Sequence, residues 1–107
     1  MSEMHFQRVA RAADVPEGSM LPVQLSDRRI VLCHTRNGWY ALDDVCTHAD
    51  ANLHEGRLRG TKLICPLHGA AFDCRSGAVL SKPATVALCT YEVRCVGEEV
   101  QVALPKS

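Results

Sequence analysis

The 107 residues fit a single domain with one modest core, and the chain is too short to hold a separate catalytic domain as well. Twelve Lys and Arg residues balance twelve Asp and Glu residues, which excludes a global field that draws the chain to nucleic acid or to an anionic membrane. No apolar run approaches the roughly 18 residues of a membrane helix, and the N-terminal residues lack a signal-peptide pattern. We therefore predict a cytoplasmic protein.

Short apolar runs between turn residues recur along the chain and predict an all-β fold of small antiparallel sheets. Residues 21–25 form the first predicted strand. A hairpin follows between residues 29–35 and 39–42, because the Asn37-Gly38 pair readily supplies the positive φ of a hairpin turn.

The two ends of the chain are predicted to build one β base. Residues 91–96 and 99–104 alternate apolar and polar side chains, which is typical of strands with one wet face. Between these β halves, the segment 44–83 is rich in His, Gly and Cys, and the alternation breaks there. We predict a base of about 1–43 and 84–107 that carries an inserted site subdomain of about 44–83.

Two Cys/His pairs lie in that segment, Cys46-x-His48 and Cys65-x-x-His68, with sixteen residues between them. Either pair alone is weak evidence of a site, but two together are much stronger. Cysteines of a cytoplasmic protein are seldom structural disulfides, so cysteines paired with histidines indicate a metal.

Zinc and iron–sulfur are the two candidate metal groups. Two Cys and two His satisfy a tetrahedral zinc ion equally well by ligand type, so a zinc-stabilised β module that mediates contacts is one hypothesis. Common zinc modules, however, place two Cys or two His together in one short motif, whereas each short motif here contains one Cys and one His. This order favours iron–sulfur.

The ligand spacing resembles the pattern of Rieske [2Fe-2S] proteins. The resemblance rests on CTH from Cys46, CPLHG from Cys65, the pair Glu55-Gly56 and Phe72, and more loosely it covers nearly the whole chain. Length and sequence style look most like the small Rieske ferredoxins of bacterial aromatic-ring-hydroxylating dioxygenase systems. The implied fold is a Rieske-like all-β fold with a β base and a cluster-binding subdomain.

In that family two Cys bind one iron and two His the other, which implies Cys46 and Cys65 on the inner iron and His48 and His68 on the outer one. The resemblance also implies a monomeric one-electron carrier that is not itself an enzyme. Its implied partners are a flavoprotein NAD(P)H-dependent ferredoxin reductase and a terminal oxygenase with its own Rieske cluster and mononuclear iron. A small subunit of a larger reductase, such as nitrite reductase, is the alternative, while a complete oxygenase is excluded by size.

Four positions predict a reduction potential at the low end of the Rieske class. High-potential members carry a disulfide between the ligand loops, and Ala51 and Leu67 stand where its cysteines would be. They also carry Ser and Tyr hydroxyls that donate hydrogen bonds to the cluster and stabilise the added electron. Ala70 and Phe72 replace them here.

The remaining cysteines and histidines are expected to be structural. Core or core-adjacent positions are predicted for four cysteines without a ligand-like spacing: Cys33, Cys74, Cys89 and Cys95. His5 and His34 are expected to be ordinary surface or hairpin residues, and His54 a solvated loop residue.

Several residues near the predicted site have secondary roles in this hypothesis. Phe72 is expected to cover the cluster, and Lys82 with Pro83 resembles the loop that shields it in the family. Trp39 is expected to pack on a sheet face. A basic edge that could assist docking is formed by Arg57, Arg59 and Lys62, although short charge runs are usually only solvated faces.

Overall fold

The computed structural model describes residues 4–47, 51–67, 69–82, 84 and 86–105. Regular structure in these ranges consists of strands and two short 3-10 turns, Ala12–Asp14 and Leu53–Glu55, and no described helix is long and apolar enough to span a membrane. The strands, β1 to β11, are Met4–Arg11, Met20–Leu25, Arg28–Thr35, Gly38–Asp43, Arg57–Arg59, Lys62–Ile64, Ala71–Asp73, Val79–Ser81, Thr90–Tyr91, Val93–Val96 and Glu99–Pro105. The predicted all-β fold is confirmed.

The described strands form three small antiparallel sheets. Their strand orders are β1-β11-β10, β2-β3-β4-β9 and β5-β6-β7-β8. The third sheet uses only residues 57–81, which lie inside the predicted site segment 44–83, and the other two use residues outside that segment. The division into base and inserted subdomain stays a prediction.

The predicted hairpin joins β3 to β4, with Thr35 opposite Gly38. Gly38 has a φ of 133°, whereas Asn37 keeps an ordinary negative φ. Thr35 stabilises the turn: its Oγ1 accepts a hydrogen bond from the Asn37 amide and donates one to the Gly38 carbonyl, each over 3.0 Å. The Asn-Gly pair therefore predicted the hairpin correctly, but only its glycine needs a positive φ.

The predicted strand 91–96 divides between two sheets. Tyr91 pairs with β4 as part of β9, while β10 starts at Val93 and pairs with β11. Cys95 was expected on the apolar side of this strand, but it is exposed. The alternation of more buried and exposed residues continues from Tyr91 through Arg94, across the change of sheet, and ends at Cys95.

Two hydrophobic cores meet at β3. Val31 and Cys33 pack into the core that also contains the third sheet, whereas Ile30 and Leu32 pack into the core beneath the three-stranded sheet. A strand that is buried on both faces reads as a continuous apolar run rather than an alternating one. The run Ile30 to Cys33 shows this pattern.

Candidate metal centre

Cys46, from the first Cys/His pair, follows β4 at the start of a loop whose two ends are hydrogen-bonded to each other. The Cys46 amide donates to the Ala51 carbonyl over 2.9 Å, and Val45 forms an isolated bridge with Asn52. These contacts fold the loop back on itself and hold Cys46 inside the core, where the residue is 3% exposed.

Cys65, from the second pair, holds the equivalent position in a loop between β6 and β7. The Cys65 amide donates to the Ala70 carbonyl over 2.7 Å, so each cysteine bonds to the carbonyl five residues later. Gly69, with a φ of 71°, makes the turn back into β7 without side-chain strain. Cys65 is as buried as Cys46, at 2% exposed.

The two loops bring the two thiols together. Cys46 and Cys65 belong to one core cluster with Phe72, and neither forms a disulfide. Burial raises the pKa of the Cys65 thiol, the neighbouring Cys46 thiol raises it further, and the Leu67 amide, which donates to Sγ over 3.5 Å, partly offsets both effects. Two adjacent thiols in a dry site are stable as thiolates only beside a cation, which fits the donor set of an iron–sulfur cluster.

Two of the four predicted ligands, His48 and His68, lie outside the described residues, as does Pro83. The described residues contain no group of three or more His, Cys, Asp or Glu side chains placed to hold a metal ion. The role of His48 and His68 as ligands therefore stays a prediction, as does the ligand role of the two cysteines.

Three described residues of a third segment, Ser81, Ala84 and Val86, lie near the ligand loops. The Thr47 hydroxyl donates to the Val86 carbonyl over 2.6 Å, and the Ser81 hydroxyl donates to the Gly69 carbonyl over 3.3 Å. Ala84, between Ser81 and Val86, is buried in the same core as the two thiols. Ser81 and Val86 are thus bonded to the second and first loops, respectively, and the shielding role of Lys82 and Pro83 stays a prediction.

The comparison with protein families identifies the centre. A model of the Rieske [2Fe-2S] domain matches residues 5–92. The chain belongs to this family. The Rieske [2Fe-2S] cluster predicted from the sequence is thus confirmed as the cofactor, and the zinc hypothesis is disfavoured.

Two curated relatives match nearly end to end. The ferredoxin component of the naphthalene 1,2-dioxygenase system of Pseudomonas aeruginosa is 35% identical over 104 residues, which cover 97% of this chain and 99% of that protein. The 3-phenylpropionate/cinnamic acid dioxygenase ferredoxin subunit of Escherichia coli K12 is 38% identical over 96 residues, which cover 89% and 90%. The predicted resemblance to dioxygenase ferredoxins is confirmed.

A solved structure supports the same assignment. A chain from the complex of reduced oxygenase and oxidized ferredoxin in carbazole 1,9a-dioxygenase superposes on this Rieske protein with a TM-score of 0.87, at 35% identity, and the match covers 92% of each chain. The similarity therefore extends over nearly the whole chain.

The four positions that predict a low potential lie around the Rieske centre. Ala51 and Ala70 accept the amide hydrogen bonds that close the two ligand loops, and both are buried. Phe72 is fully buried in the same core as the two thiols, and its role in covering the cluster stays a prediction. Leu67 is 44% exposed and lies at the surface of the second loop.

The expectation that His54 is a solvated loop residue is wrong. His54 is half-buried, and its Nδ1 lies 2.6 Å from Oδ2 of the buried Asp44, while its amide donates to Oδ1 over 2.7 Å. Because a carboxylate only accepts, Nδ1 carries the proton. The Leu53 amide donates to the Asp44 carbonyl over 2.6 Å. Asp44, just before the first ligand loop, is therefore bonded to Leu53 and His54, just after it. Nothing in the sequence pattern predicted this contact between two residues that are ten positions apart.

His34 and Trp39 form a stacked pair across the β3–β4 hairpin. Their ring centroids are 3.8 Å apart with an interplanar angle of 7°, and His34 Nδ1 donates to the Val15 carbonyl over 2.7 Å. His34 is thus a hairpin residue as expected, and Trp39 packs on a sheet face as expected. His5 is exposed on β1.

The four remaining cysteines divide into two classes. Cys33 and Cys74 are buried in the core that contains the Rieske centre, and their thiols contact each other. This contact and burial raise the pKa of Cys33 far above its usual range. Cys89 and Cys95 are exposed, so the expectation that all four lie in or beside the core is wrong for these two, which occupy an irregular segment and an edge strand.

Proposed function

We propose that this chain is the one-electron carrier of a bacterial aromatic-ring-hydroxylating dioxygenase system. The observation that carries the proposal is the pair of buried, adjacent thiols, Cys46 and Cys65, at equivalent positions of two closed loops. Full-length relatives with this fold are named as ferredoxin components of such systems. Like these relatives, the chain acts as an electron-transfer component of a multicomponent dioxygenase and not as an enzyme.

In this proposal Cys46 and Cys65 hold the inner iron, and His48 and His68 hold the outer one. When bound, the cluster supplies a single one-electron couple at a potential raised by its two imidazole ligands. The protein keeps water from the thiolates by burying both cysteines, and the Leu67 amide donates to Cys65 Sγ, which stabilises negative charge on that sulfur.

The proposed partners are a flavoprotein NAD(P)H-dependent ferredoxin reductase, which donates the electron, and a terminal ring-hydroxylating oxygenase, which accepts it. The complex of oxygenase and ferredoxin in carbazole 1,9a-dioxygenase supports the second partner. We also propose a cytoplasmic, monomeric protein. In this proposal the oxygenase, and not this carrier, recognises the aromatic substrate. The two relatives are named after systems with different substrates, which agrees with this division of roles.

The first experiment measures iron, acid-labile sulfide and the EPR spectrum of dithionite-reduced protein purified without oxygen. We expect two irons, two sulfides and an anisotropic signal with the low average g value of mixed Cys/His ligation. C46S and C65S are expected to lose the cluster, whereas the matched controls C89S and C95S, at exposed cysteines, keep it. Colourless wild-type protein with stoichiometric zinc would overturn the proposal.

A second measurement separates the carrier from a fixed reductase subunit. A carrier elutes as a monomer in size-exclusion chromatography, and a flavoprotein reductase with NADH reduces it repeatedly. Stable co-purification with a large reductase would instead favour the subunit alternative.

A further inference from the structure

Two buried cysteines outside the metal centre lie in contact with each other. Cys33 on β3 is fully buried, Cys74 directly after β7 is 1% exposed, and their thiols meet although the residues are far apart in sequence. Neither forms a disulfide in this structure. Neither has the ligand spacing of Cys46 and Cys65, so the metal centre gives this pair no role.

The pair connects two different sheets. Cys33 is opposite Met20 and Tyr40 in the four-stranded sheet β2-β3-β4-β9. The Cys74 amide donates to the carbonyl of Thr61, in the turn between β5 and β6, over 2.8 Å, which holds Cys74 against the sheet β5-β6-β7-β8. A bond between the two sulfurs would therefore link these sheets covalently.

The two thiols differ in how readily they carry a negative charge. Because both lie in contact inside a core, ionisation of one disfavours ionisation of the other. The hydrogen bond from the Cys33 thiol is the largest cause that lowers the pKa of Cys74; burial and Asp73 offset part of this effect, while Arg75 adds to it. The same contact, burial and Asp44 all raise the pKa of Cys33. Cys74 is therefore the thiol that ionises, and Cys33 the one that stays protonated.

Cys74 is also the member of the pair that a small solute can approach. Together with Tyr40, Arg75 and Tyr91, it lines an open cavity of about 290 Å³, whereas Cys33 has no exposed surface. Hydrogen peroxide is close to water in size, so it can reach a sulfur that a larger thiol reagent does not. Oxidation of a thiol depends on both thiolate character and access, and Cys74 has more of each than Cys33.

We propose that Cys33 and Cys74 form a redox-active dithiol, which hydrogen peroxide oxidises to a disulfide that links the two four-stranded sheets. Neither residue is a predicted cluster ligand, so this reactivity does not depend on the proposed electron-carrier function. The alternative is that both thiols are inert, small side chains of the core.

The reaction takes two steps and consumes one peroxide. The Cys74 thiolate attacks a peroxide oxygen, the O–O bond breaks, and a sulfenic acid forms on Cys74 while hydroxide leaves and takes up the proton that this thiol had released. The sulfur of Cys33 then attacks the sulfur of Cys74, the S–O bond breaks, and the hydroxyl group leaves as water with the Cys33 proton. Two thiols and one peroxide thus give one disulfide and two waters.

The variant C89S/C95S isolates the reaction in the core, because it lacks the two exposed thiols. The reduced holoprotein is treated with a small molar excess of hydrogen peroxide, and the iron that stays bound is measured on the same sample. The remaining thiols are then alkylated under denaturing conditions, and the protein is digested for mass spectrometry.

Digestion with trypsin and Asp-N identifies which cysteines are joined. Cleavage after Lys62 and before Asp73 puts Cys65 and Cys74 into different peptides. We expect a cross-link between the peptides of Cys33 and Cys74, lighter by two hydrogen atoms than their reduced sum, which dithiothreitol reverses while iron stays bound. No such cross-link, or one that appears only after iron is lost, would overturn the proposal.

Single variants in the same background assign the roles of the two thiols. C33S keeps a hydroxyl donor beside Cys74 but removes the second attacking sulfur, so dimedone should trap a sulfenic acid on Cys74. C74S should leave Cys33 unmodified. The reverse pattern would overturn the assignment of Cys74 as the attacking thiol. If C33S does not fold, dimedone added to C89S/C95S during oxidation should label Cys74 and lower the yield of the cross-link, and labelling of Cys33 would overturn the assignment.

The link between the sheets also predicts a thermal shift. A disulfide that closes a long loop stabilises the folded protein, so oxidised C89S/C95S should melt at least about 5 °C above its reduced form, and dithiothreitol should reverse the rise. C33S in the same background, treated in the same way, should show no such rise. Cross-linked protein with an unchanged or lower Tm would overturn the stabilising link between the sheets.

Discussion

At the scale of single residues, burial separates side chains of the same chemical type. Cys46 and Cys65 share a core with Cys33 and Cys74, while Cys89 and Cys95 face solvent. A thiol reacts as a thiolate and only where a reagent can reach it, so the environment of each cysteine fixes its reactivity.

Native holoprotein is expected to expose two reactive thiols, those of Cys89 and Cys95. Titration with DTNB should label two cysteines per chain before unfolding and all six after unfolding and iron removal. The variant C89S/C95S should then show no fast phase. A fast phase that survives in this variant would show that a cysteine in the core is accessible.

Removal of the His54 ring should loosen the first ligand loop. H54A leaves one oxygen of the buried Asp44 carboxylate without its imidazole donor, which costs about 1–3 kcal/mol. We expect a lower Tm and faster loss of iron to a chelator. H5Q, at an exposed histidine on β1, should change neither quantity. Equal iron-loss rates for H54A and wild type would contradict the role of the Asp44–His54 contact.

At the scale of elements, two close contacts fix how neighbouring strands meet. Gly56 precedes β5, and a Cβ there would lie 1.8 Å from the Ile64 carbonyl oxygen. Tyr91 lies where the chain passes from the four-stranded to the three-stranded sheet, and it donates a hydrogen bond to Asp43 while Arg28 donates to it over 3.1 Å.

Alanine at Gly56 should displace the second ligand loop. The new methyl group collides with the backbone of Ile64, next to Cys65, and costs about 3 kcal/mol, the upper end of the range for overpacking. G60A is the control, because Gly60 has a φ of 61° but open space, so the cost there is only the left-handed strain of about 1–2 kcal/mol. Iron content and Tm should fall much further in G56A, and similar values in both variants would contradict the collision.

Tyr91 should make stability depend on alkaline pH. Burial is the largest cause that raises the pKa of Tyr91, and the hydrogen bond to Asp43 is the next. The hydrogen bond from Arg28 lowers this pKa by a smaller amount. A raised pKa in the folded state means that this contribution to stability is complete below the ordinary pKa of about 10 and is lost as the pH rises towards the folded value.

The variant Y91F tests this dependence. It loses the hydroxyl bonds, worth about 1 kcal/mol, so its Tm at pH 8 should be about 4–8 °C below that of wild type. The gap should narrow between pH 8 and pH 11, because only wild type ionises Tyr91. A gap that stays constant or widens with pH would show that the pKa is not raised.

At the scale of the whole molecule, the site draws on the two four-stranded sheets and on one of the two cores. The third sheet supplies the second ligand loop, the loop after β4 supplies the first, and the segment before β9 lies against both. β3 contributes side chains to both cores and so connects the core that contains the two thiols to the core beneath the three-stranded sheet.

The potential of the assembled centre should lie towards the low end of the Rieske range, near roughly −150 mV. Buried Ala70 and Phe72 provide no hydroxyl donor to the cluster. A redox titration followed by EPR measures the midpoint. A70S should raise it by adding a donor, and A41S, at a buried alanine of the other core, should leave it unchanged. A clearly positive midpoint in wild type would contradict this account.

The sequence by itself determined the fold class, the family and the cofactor, because ligand spacing and turn residues are local properties of the chain. It also predicted the β3–β4 hairpin, whose turn residues are adjacent in sequence. The exposure of Cys89 and Cys95 and the Asp44–His54 contact were decided only by the tertiary structure. Each depends on which segments pair and which face each strand turns to the core, and long-range packing sets both.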